Sequence, residues 1–509
     1  MQITLAKQRY HVTEPTPAVL RYASSIGCNP RTDGSLCLPA LVGVASALGQ
    51  LEPWRTRTAP SPSVVLPGLR SDQASNVHWH LLGAQGSAPG GGPRVRALLA
   101  SEVGCGKTAE ALALYAACQP STCLIVSGML AKSAVWEPEW RKWIGPQLSV
   151  PGEVWLTHFD CLQRSRWDGA PEMLIVDEAH RLTDRHRFTR GTADRDDPND
   201  RLRTKGQRVY ELAKHARHVV LLSATPARNQ PWDIWGLLRC LDPQLYTSFW
   251  VFTRTYFQVT PTRWGSWEIG DYRDRPGFEA EVARWKTCST AAEVHPQLSY
   301  EIQVVPVPFS VADRKRYRQV KRGEGPFGSA IERVQWLRQF TIAPHSRTGP
   351  PRRGKEAYAR ELLHDAGEPA CIFSSFRIVD SMRALLGDRA CLIIGGQTEE
   401  ARRREYSRWL TGDADWLLGT IEAGGESIDL TRSRRLILLD LPWTSAALKQ
   451  LIGRLVRPGQ RGPVLVQLLE TPDTHDRYMR EVVIDKEQSL APVHTEAGAG
   501  AFLAAIQAA

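Results

Sequence analysis

Ala100-Ser101-Glu102-Val103-Gly104-Cys105-Gly106-Lys107-Thr108 follows an apolar run starting at Arg96 and opens onto residues of helical composition. A Gly-x-Gly-Lys-Thr run between a buried strand and a helix turns backbone N–H groups toward phosphate oxygens. The helix N-terminus adds partial positive charge. In that setting Gly104, Cys105, Gly106, Lys107 and Thr108 cradle phosphates. Lys107 reaches the β- and γ-phosphates of ATP, and the Thr108 hydroxyl ligates Mg2+. A Gly-rich loop with an incidental lysine is the plain alternative, and the strand before it and helix after it weigh against that.

Working outward, Asp177-Glu178-Ala179-His180 ends the apolar run 173–176. Two adjacent carboxylates at a strand's end suit a division of labour. Asp177 holds Mg2+, Glu178 orients and deprotonates water, and His180 relays to neighbouring groups. Leu222-Ser223-Ala224-Thr225-Pro226 also ends an apolar run. Its Ser223 and Thr225 hydroxyls are candidates to bond the acidic pair and sense nucleotide state, where a lone segment of this kind would be a Ser/Thr-Pro turn. Near the far end, Gln450, Arg454 and Arg457 share one helical face by their three-and-four spacing. Such arginines are either a solvated stripe or arginine fingers aimed at a γ-phosphate.

Alternating strand-like and helix-like segments from Val65 to Pro243 predict a parallel sheet covered on both faces. The strands are expected at 96–100, 122–126, 154–157, 173–176 and 219–222, and helices at 108–118, 136–143 and 206–215. A second αβ block begins near Lys355, with strands at 370–374, 390–394, 416–420, 435–440 and 464–468. The domain boundaries expected are an N-terminal accessory extension over 1–62, a first block over 63–245, a helical insertion over 246–354, a second block over 355–490, and a frayed tail over 491–509. Within 1–62, a strand-like start at 3–12 precedes helices at 18–25 and 38–51; Pro53, Pro60, Pro62 and, beyond the boundary, Pro67 then mark a linker. The charged stretch 184–203 reads as a surface loop. The insertion is rich in aromatic and basic residues, including Arg314-Lys315-Arg316.

The 509 residues suffice for two or more domains. A formal net charge of +10 favours a polyanionic partner, nucleic acid first, with a generally Arg-rich composition as the alternative. Ten cysteines without a Cys-x-x-Cys pair point to reduced thiols, with neither a disulfide framework nor a zinc site. The start of the chain lacks the layout of a signal peptide, and no apolar run reaches the roughly 20 residues of a membrane span. The expectation is a monomer without a membrane partner, in the cytoplasm or on the nucleoid, or in the host cytoplasm for a virus.

In chain order these blocks resemble the Swi/Snf-type ATPases of helicase superfamily two, with a DEAH-type acidic motif, over roughly residues 65–490. Leu69 to Gln73 with Val77-His78-Trp79 is similar to the family's glutamine motif, which implies Gln73 at the adenine. Leu124-Ile125-Val126 with Trp136-x-x-Glu139-Trp140 resembles motif Ia, and 221–229 continuing through Trp235 and Leu241-Asp242-Pro243 resembles motif III. Ile372 to Phe376 and Gly395 to Thr398 match later segments. Ala423 to Thr431 resembles motif V, implying coupling roles for Gly425, Asp429 and Gln450 beside Ser223 and Thr225. Asp429 stands where the family usually carries asparagine, and Trp443-Thr444-Ser445 replaces Trp-Asn-Pro.

The resemblance implies an α/β fold of two RecA-like P-loop NTPase lobes. It implies ATP and Mg2+ as cofactors, Arg454 and Arg457 as arginine fingers, and tracking along double-stranded or branched DNA. Two other readings stay open: a strand-separating or branch-migrating helicase of the same superfamily, and a non-hydrolysing nucleotide-gated scaffold for DNA or protein.

Overall fold

Short, largely apolar runs of the first half pair side by side in a six-stranded sheet, with the two-residue strand Lys286–Thr287 added at one edge. The computed structural model describes residues 2–6, 9–33, 35–47, 66–83, 94–128, 131–145, 152–164, 169–182, 205–263, 265–344, 354–377, 379–424, 428–494 and 496–508. In the first sheet the order is Lys286–Thr287, Arg96–Leu99, His218–Leu222, Met173–Val176, Thr122–Ser127 and Glu153–His158, every pair parallel. Central strands of a parallel sheet are buried on both faces, so Met173–Val176 and His218–Leu222 are buried at every position. Alternate residues feed two cores. Leu98 and Leu174 join one apolar cluster, and Ala97, Leu99, Met173 and Ile175 join the other. The helix Lys107–Cys118 packs into the second of these and is buried continuously from Ala109 to Ala116.

The second sheet runs Tyr300–Pro306, Val464–Glu470, Arg435–Leu438, Ala370–Ser374, Trp416–Thr420 and Ala390–Ile393, again parallel throughout. Cys371 and Phe373 face one core, and Ala370 and Ile372 the other. Two compact units result. The first holds residues 1–101, 106–289 and 490–495, the second 102–105, 290–489 and 496–509. The α/β architecture of two helix-covered parallel sheets is as the sequence implied.

Four expectations are corrected. The segment 246–354 is not a single helical insertion. It starts with the helix Phe249–Tyr256, then an antiparallel ribbon of Phe257–Pro261 and Trp267–Tyr272, and the helix Arg275–Ala283. It then supplies the edge strand Lys286–Thr287 to the first sheet and the edge strand Tyr300–Pro306 to the second. Two residues carry no periodicity, and Glu301 and Gln303 dilute the apolar signal of the longer strand.

Nor do the first residues stand apart. Gln2–Ala6, Arg9–Thr13 and Leu36–Pro39 form an antiparallel sheet, and Tyr10, Val12, Leu36 and Leu38 enter the same core as Leu98. The expected helix over 38–51 is therefore a strand to Pro39 and a helix only over Val42–Ala47, its last residues lying outside those described. The helix expected from 136 is preceded by a π-helical turn, Lys132–Trp136. Finally, the Ala- and Gly-rich tail is the helix Glu496–Ala508, with Ala499, Phe502 and Ile506 buried at i, i+3 and i+7. Ala-rich composition favours helix, and this stripe docks it on the second core. The linker prolines 53, 60 and 62 and the stretch 184–203 lie outside the described residues.

Candidate nucleotide site

In the first sheet, the strand Arg96–Leu99 leads to the glycine loop and Met173–Val176 to the acidic pair. His218–Leu222 lies between them and leads to Ser223 and Thr225. Because all three run parallel, their carboxyl ends gather these groups along one edge, the usual place for ligands in such sheets. Gly104 and Gly106 both take positive φ, +86° and +83°, which a side chain would oppose. A Cβ on Gly106 would also stand 2.4 Å from the Gln73 amide nitrogen. Gln73 is buried and donates to the Gly106 carbonyl (3.2 Å) while accepting from the Arg70 N–H (3.1 Å). Cys105 is buried, and its N–H donates to the Glu102 carbonyl at 3.3 Å. Lys107 Nζ donates to the Ser101 carbonyl at 2.6 Å, and Thr108 is half-buried beside it in the first helical turn.

The acidic pair is built with strain. Glu178 has φ +52°, a left-handed conformation that costs a non-glycine residue about 1–3 kcal/mol. Its N–H donates to Asp177 Oδ1 (2.9 Å), and the indole N–H of Trp136 donates to Asp177 Oδ2 (3.0 Å). Burial, and then the charge of Glu178, raise the Asp177 pKa, against the Trp136 bond and the attraction of Lys107. The Asp177 carboxylate and the Thr108 hydroxyl are hard oxygen donors of the kind that suit Mg2+ shared with phosphates. Asp177 and Thr108 therefore fit the ion, and the glycine loop fits a nucleotide triphosphate. Among the described residues no group of three or more His, Cys, Asp or Glu could hold a metal by itself.

His180 Nδ1 lies 3.3 Å from Glu178 Oε2 and 3.3 Å from Ser223 Oγ. Burial pushes this imidazole down to about 4 despite the attraction of Glu178, so it is neutral at physiological pH. Ser223 Oγ also accepts from the Thr225 N–H at 3.2 Å. A continuous polar path thus runs from the acidic pair through His180 to the residues after the adjacent strand.

In the second unit, Gln450 is buried on the helix Ser445–Leu455, which carries Arg454 in its last turn but ends before Arg457, so the three do not share one helical face as the spacing predicted. The Arg454 carbonyl accepts from the Leu430 N–H (3.0 Å), and Arg457 Nε lies 3.6 Å from Asp429 Oδ2. Asp429 Oδ1 closes a local turn by accepting from the N–H and hydroxyl of Thr431, at 2.9 and 2.5 Å. Gly425 lies outside the described residues.

Two residues of interest escaped the sequence reading. Trp136 was placed in a motif without a role; its contact with Asp177 joins residues 41 apart. Glu110 is buried two residues after Thr108, and burial pushes its carboxyl up to about 7, opposed by a hydrogen bond from Asn76 at 3.0 Å. The available signal was a lone charge in the otherwise apolar run Ala109 to Ala116.

A family model described as the helicase conserved C-terminal domain matches residues 354–459. The SWI/SNF-related matrix-associated actin-dependent regulator of chromatin subfamily A-like protein 1 of Xenopus tropicalis is 21% identical over 422 residues, 77% of this chain and 42% of that protein. A Bacillus subtilis protein, "Uncharacterized ATP-dependent helicase YqhH", is 21% identical over 455 residues, 77% of this chain and 75% of that protein. This chain thus spans less than half the length of the Xenopus relative. A solved Sulfolobus solfataricus SWI2/SNF2 ATPase core in complex with dsDNA aligns with 89% of this chain and 97% of its own, at 18% identity and a TM-score of 0.38. With the motif order, the match to the helicase conserved C-terminal domain over 354–459 and these relatives, the chain is similar to the Swi/Snf-type helicase-like ATPases of helicase superfamily two.

Proposed function

We propose that the protein is an ATP-dependent motor on double-stranded DNA, hydrolysing ATP to move along the duplex. The observation that carries this reading is the gathering of the glycine loop, the Ser223–Thr225 segment and the acidic pair at the ends of three neighbouring parallel strands. Gly104 to Thr108 bind the phosphates through backbone N–H groups, and Lys107 neutralises the terminal ones. Asp177 and Thr108 would hold Mg2+, which would draw charge from the phosphoryl oxygens. Glu178 orients a water and takes its proton, and neutral His180 links that carboxylate to Ser223, so the strained turn at Glu178 is coupled to the neighbouring strand end. Arg454 and Arg457 are the arginine fingers that the resemblance implies, and Gln73 recognises the base. Preferential binding of duplex by one nucleotide state converts each cycle into a step.

Phosphate release should be stimulated by blunt duplex DNA and abolished by Lys107→Ala or Glu178→Gln. Turnover indifferent to both changes would overturn the reading. Displacement of a triplex strand without unwinding of a forked duplex separates translocation from strand separation.

A further inference from the structure

The chain leaves the first unit at Ser289 and enters the second at Thr290. That crossing is stitched to the start of the glycine loop. The Ser289 N–H donates to Ser101 Oγ (3.0 Å), and the Ala291 N–H donates to Glu102 Oε2 (2.8 Å). These bonds join residues 188 and 189 positions apart, so they are not local turn chemistry. Asn76 adds a second tie. It lies on the helix Ser71–Gly83, one turn beyond Gln73. Its side-chain amide donates one hydrogen to Glu110 Oε1 (3.0 Å), on the helix that carries Lys107 and Thr108, and the other to Ser289 Oγ (3.1 Å). One side chain thus spends both donors on holding the phosphate-binding helix to the crossing. Ser101, Glu110 and Ser289 are buried, so these bonds are made away from water.

Holding the edge strand in place does not require this arrangement. Lys286–Thr287 is already paired with Leu98 and Leu99, through bonds from the Leu98 N–H to the Trp285 carbonyl (3.0 Å) and from the Ala100 N–H to the Thr287 carbonyl (2.8 Å). His80 Nε2 also lies 2.9 Å from Thr287 Oγ1. The ties at Ser289 lie beyond that ladder. Ser101 is, in addition, a residue that responds to nucleotide. Its carbonyl accepts from Lys107 Nζ at 2.6 Å, and a triphosphate in the loop competes for the same ammonium. The load on Ser101 therefore differs with and without nucleotide, the differential contact by which a ligand shifts a conformational equilibrium.

We propose that Asn76 and Ser289 are positioning residues that transmit occupancy of the glycine loop to the crossing between the units. Binding of a nucleoside triphosphate sets the geometry of the connector, Ser289 acting through Ser101 and Asn76 through Glu110 and Ser289. The step rests on the nucleotide site of the motor proposed above.

The test is amide hydrogen exchange by mass spectrometry on the full chain, with and without saturating β,γ-imido analogue of ATP and Mg2+, read on the peptide 286–292. In the wild type the analogue should slow exchange there. Asn76→Ala and Ser289→Ala should each lose that response with the analogue still bound, and Ser289→Thr, which restores the hydroxyl, should recover it. In steady state both alanine variants should lower kcat with duplex DNA by about five- to tenfold, a coupling effect of ordinary size, with KM for ATP little changed. His80→Leu is the control: it severs a contact between the same helix and the same edge strand, and should lower the melting temperature while keeping the response. An analogue that binds the wild type without altering exchange at 286–292 overturns the proposal. So does loss of the response in His80→Leu along with Asn76→Ala, the result for general loosening of the helix. A wild type that responds to the analogue but is not stimulated by duplex DNA overturns the motor reading and leaves the proposal standing, whereas one that does not bind the analogue overturns both.

Discussion

Arg457 Nε stands 3.6 Å from Asp429 Oδ2, which ties an arginine of the proposed finger pair to the one motif V position where aspartate replaces the family's asparagine. Both side chains are partly exposed, so the pair contributes no more than about 0.2–1 kcal/mol to stability. Its larger effect is on where the guanidinium's charge is spent. Asp429→Asn keeps the acceptor for Thr431 and removes the counter-charge. If Arg457 serves a γ-phosphate, releasing it from Asp429 is a cost within the catalytic cycle, and Asn removes that cost. DNA-stimulated phosphate release should rise by up to about fivefold, with the melting temperature unchanged within a few degrees. A fall in turnover would mean that Asp429 positions Arg457 for its task.

Trp136 presents an unusual support for the carboxylate proposed to hold Mg2+. Its indole is buried at the end of a π-helical turn, a local irregularity often kept at functional sites, and its N–H fixes one oxygen of Asp177. Trp136→Phe leaves that oxygen without its donor, at about 1–3 kcal/mol, and frees the carboxylate to rotate. Because such outer contacts set ligand orientation, the Mg2+ concentration for half-maximal ATPase should rise about tenfold. A Mg2+ titration at saturating ATP measures it, and an unchanged midpoint would reduce Trp136 to a packing residue.

Low pH should weaken the first unit through histidines held neutral. His218 is buried, its Nδ1 accepts from the Val95 N–H (3.1 Å), and burial together with the charge of Arg217 pushes its pKa down to about 4. The unfolded chain binds the proton near 6.5 and the folded chain does not. The stabilisation is therefore complete above pH 6.5 and lost as pH falls toward 4, by about 2–3 kcal/mol for this group. His180 shifts in the same direction. His218→Asn keeps an acceptor for Val95 without titrating, so melting temperature against pH should fall less steeply between 6.5 and 4.5 than in the wild type. Parallel curves would exclude His218 as a source.

What could be read in the sequence was local. Met173 to Val176 is a buried strand because four apolar residues in a row can be satisfied nowhere else, and the residues after it carry chemistry that follows from their neighbours in the chain. Lys286–Thr287 is a strand only because Leu98 and Leu99 offer it an edge. The bonds from Trp136 to Asp177 and from Arg457 to Asp429 are likewise products of pairing between distant segments. Periodicity cannot announce them, since it records which face of an element is apolar and not which element will cover it. The tail was misread for a related reason: Phe502 and Ile506 are sparse in an Ala-rich run, and only the core they enter makes them a docking stripe.

The same logic applies with most force to Glu281, whose tyrosine partners lie 35 and 25 residues away in the chain. It is fully buried, accepts from the Tyr246 hydroxyl and, at 2.7 Å, from that of Tyr256, and pairs with Arg284 at 3.3 Å. Tyr246 in turn accepts from the Trp285 indole (2.7 Å), and Arg284 donates to the Ala40 carbonyl (3.3 Å), joining this cluster to the N-terminal sheet. Burial, then the charge of Glu281, hold the pKa values of both tyrosines well above their usual value, so they remain donors at any physiological pH. Glu281→Ala leaves the Arg284 charge buried without its carboxylate and two hydroxyls without an acceptor. Breaking a buried pair from one side costs about 3–5 kcal/mol, which should lower the first unit's melting temperature sharply. The double change Glu281→Ala/Arg284→Met removes the stranded charge and should recover part of the loss. If the double variant melts no higher than the single one, the cost lies in the tyrosine hydroxyls and the cavity rather than in the unpaired guanidinium.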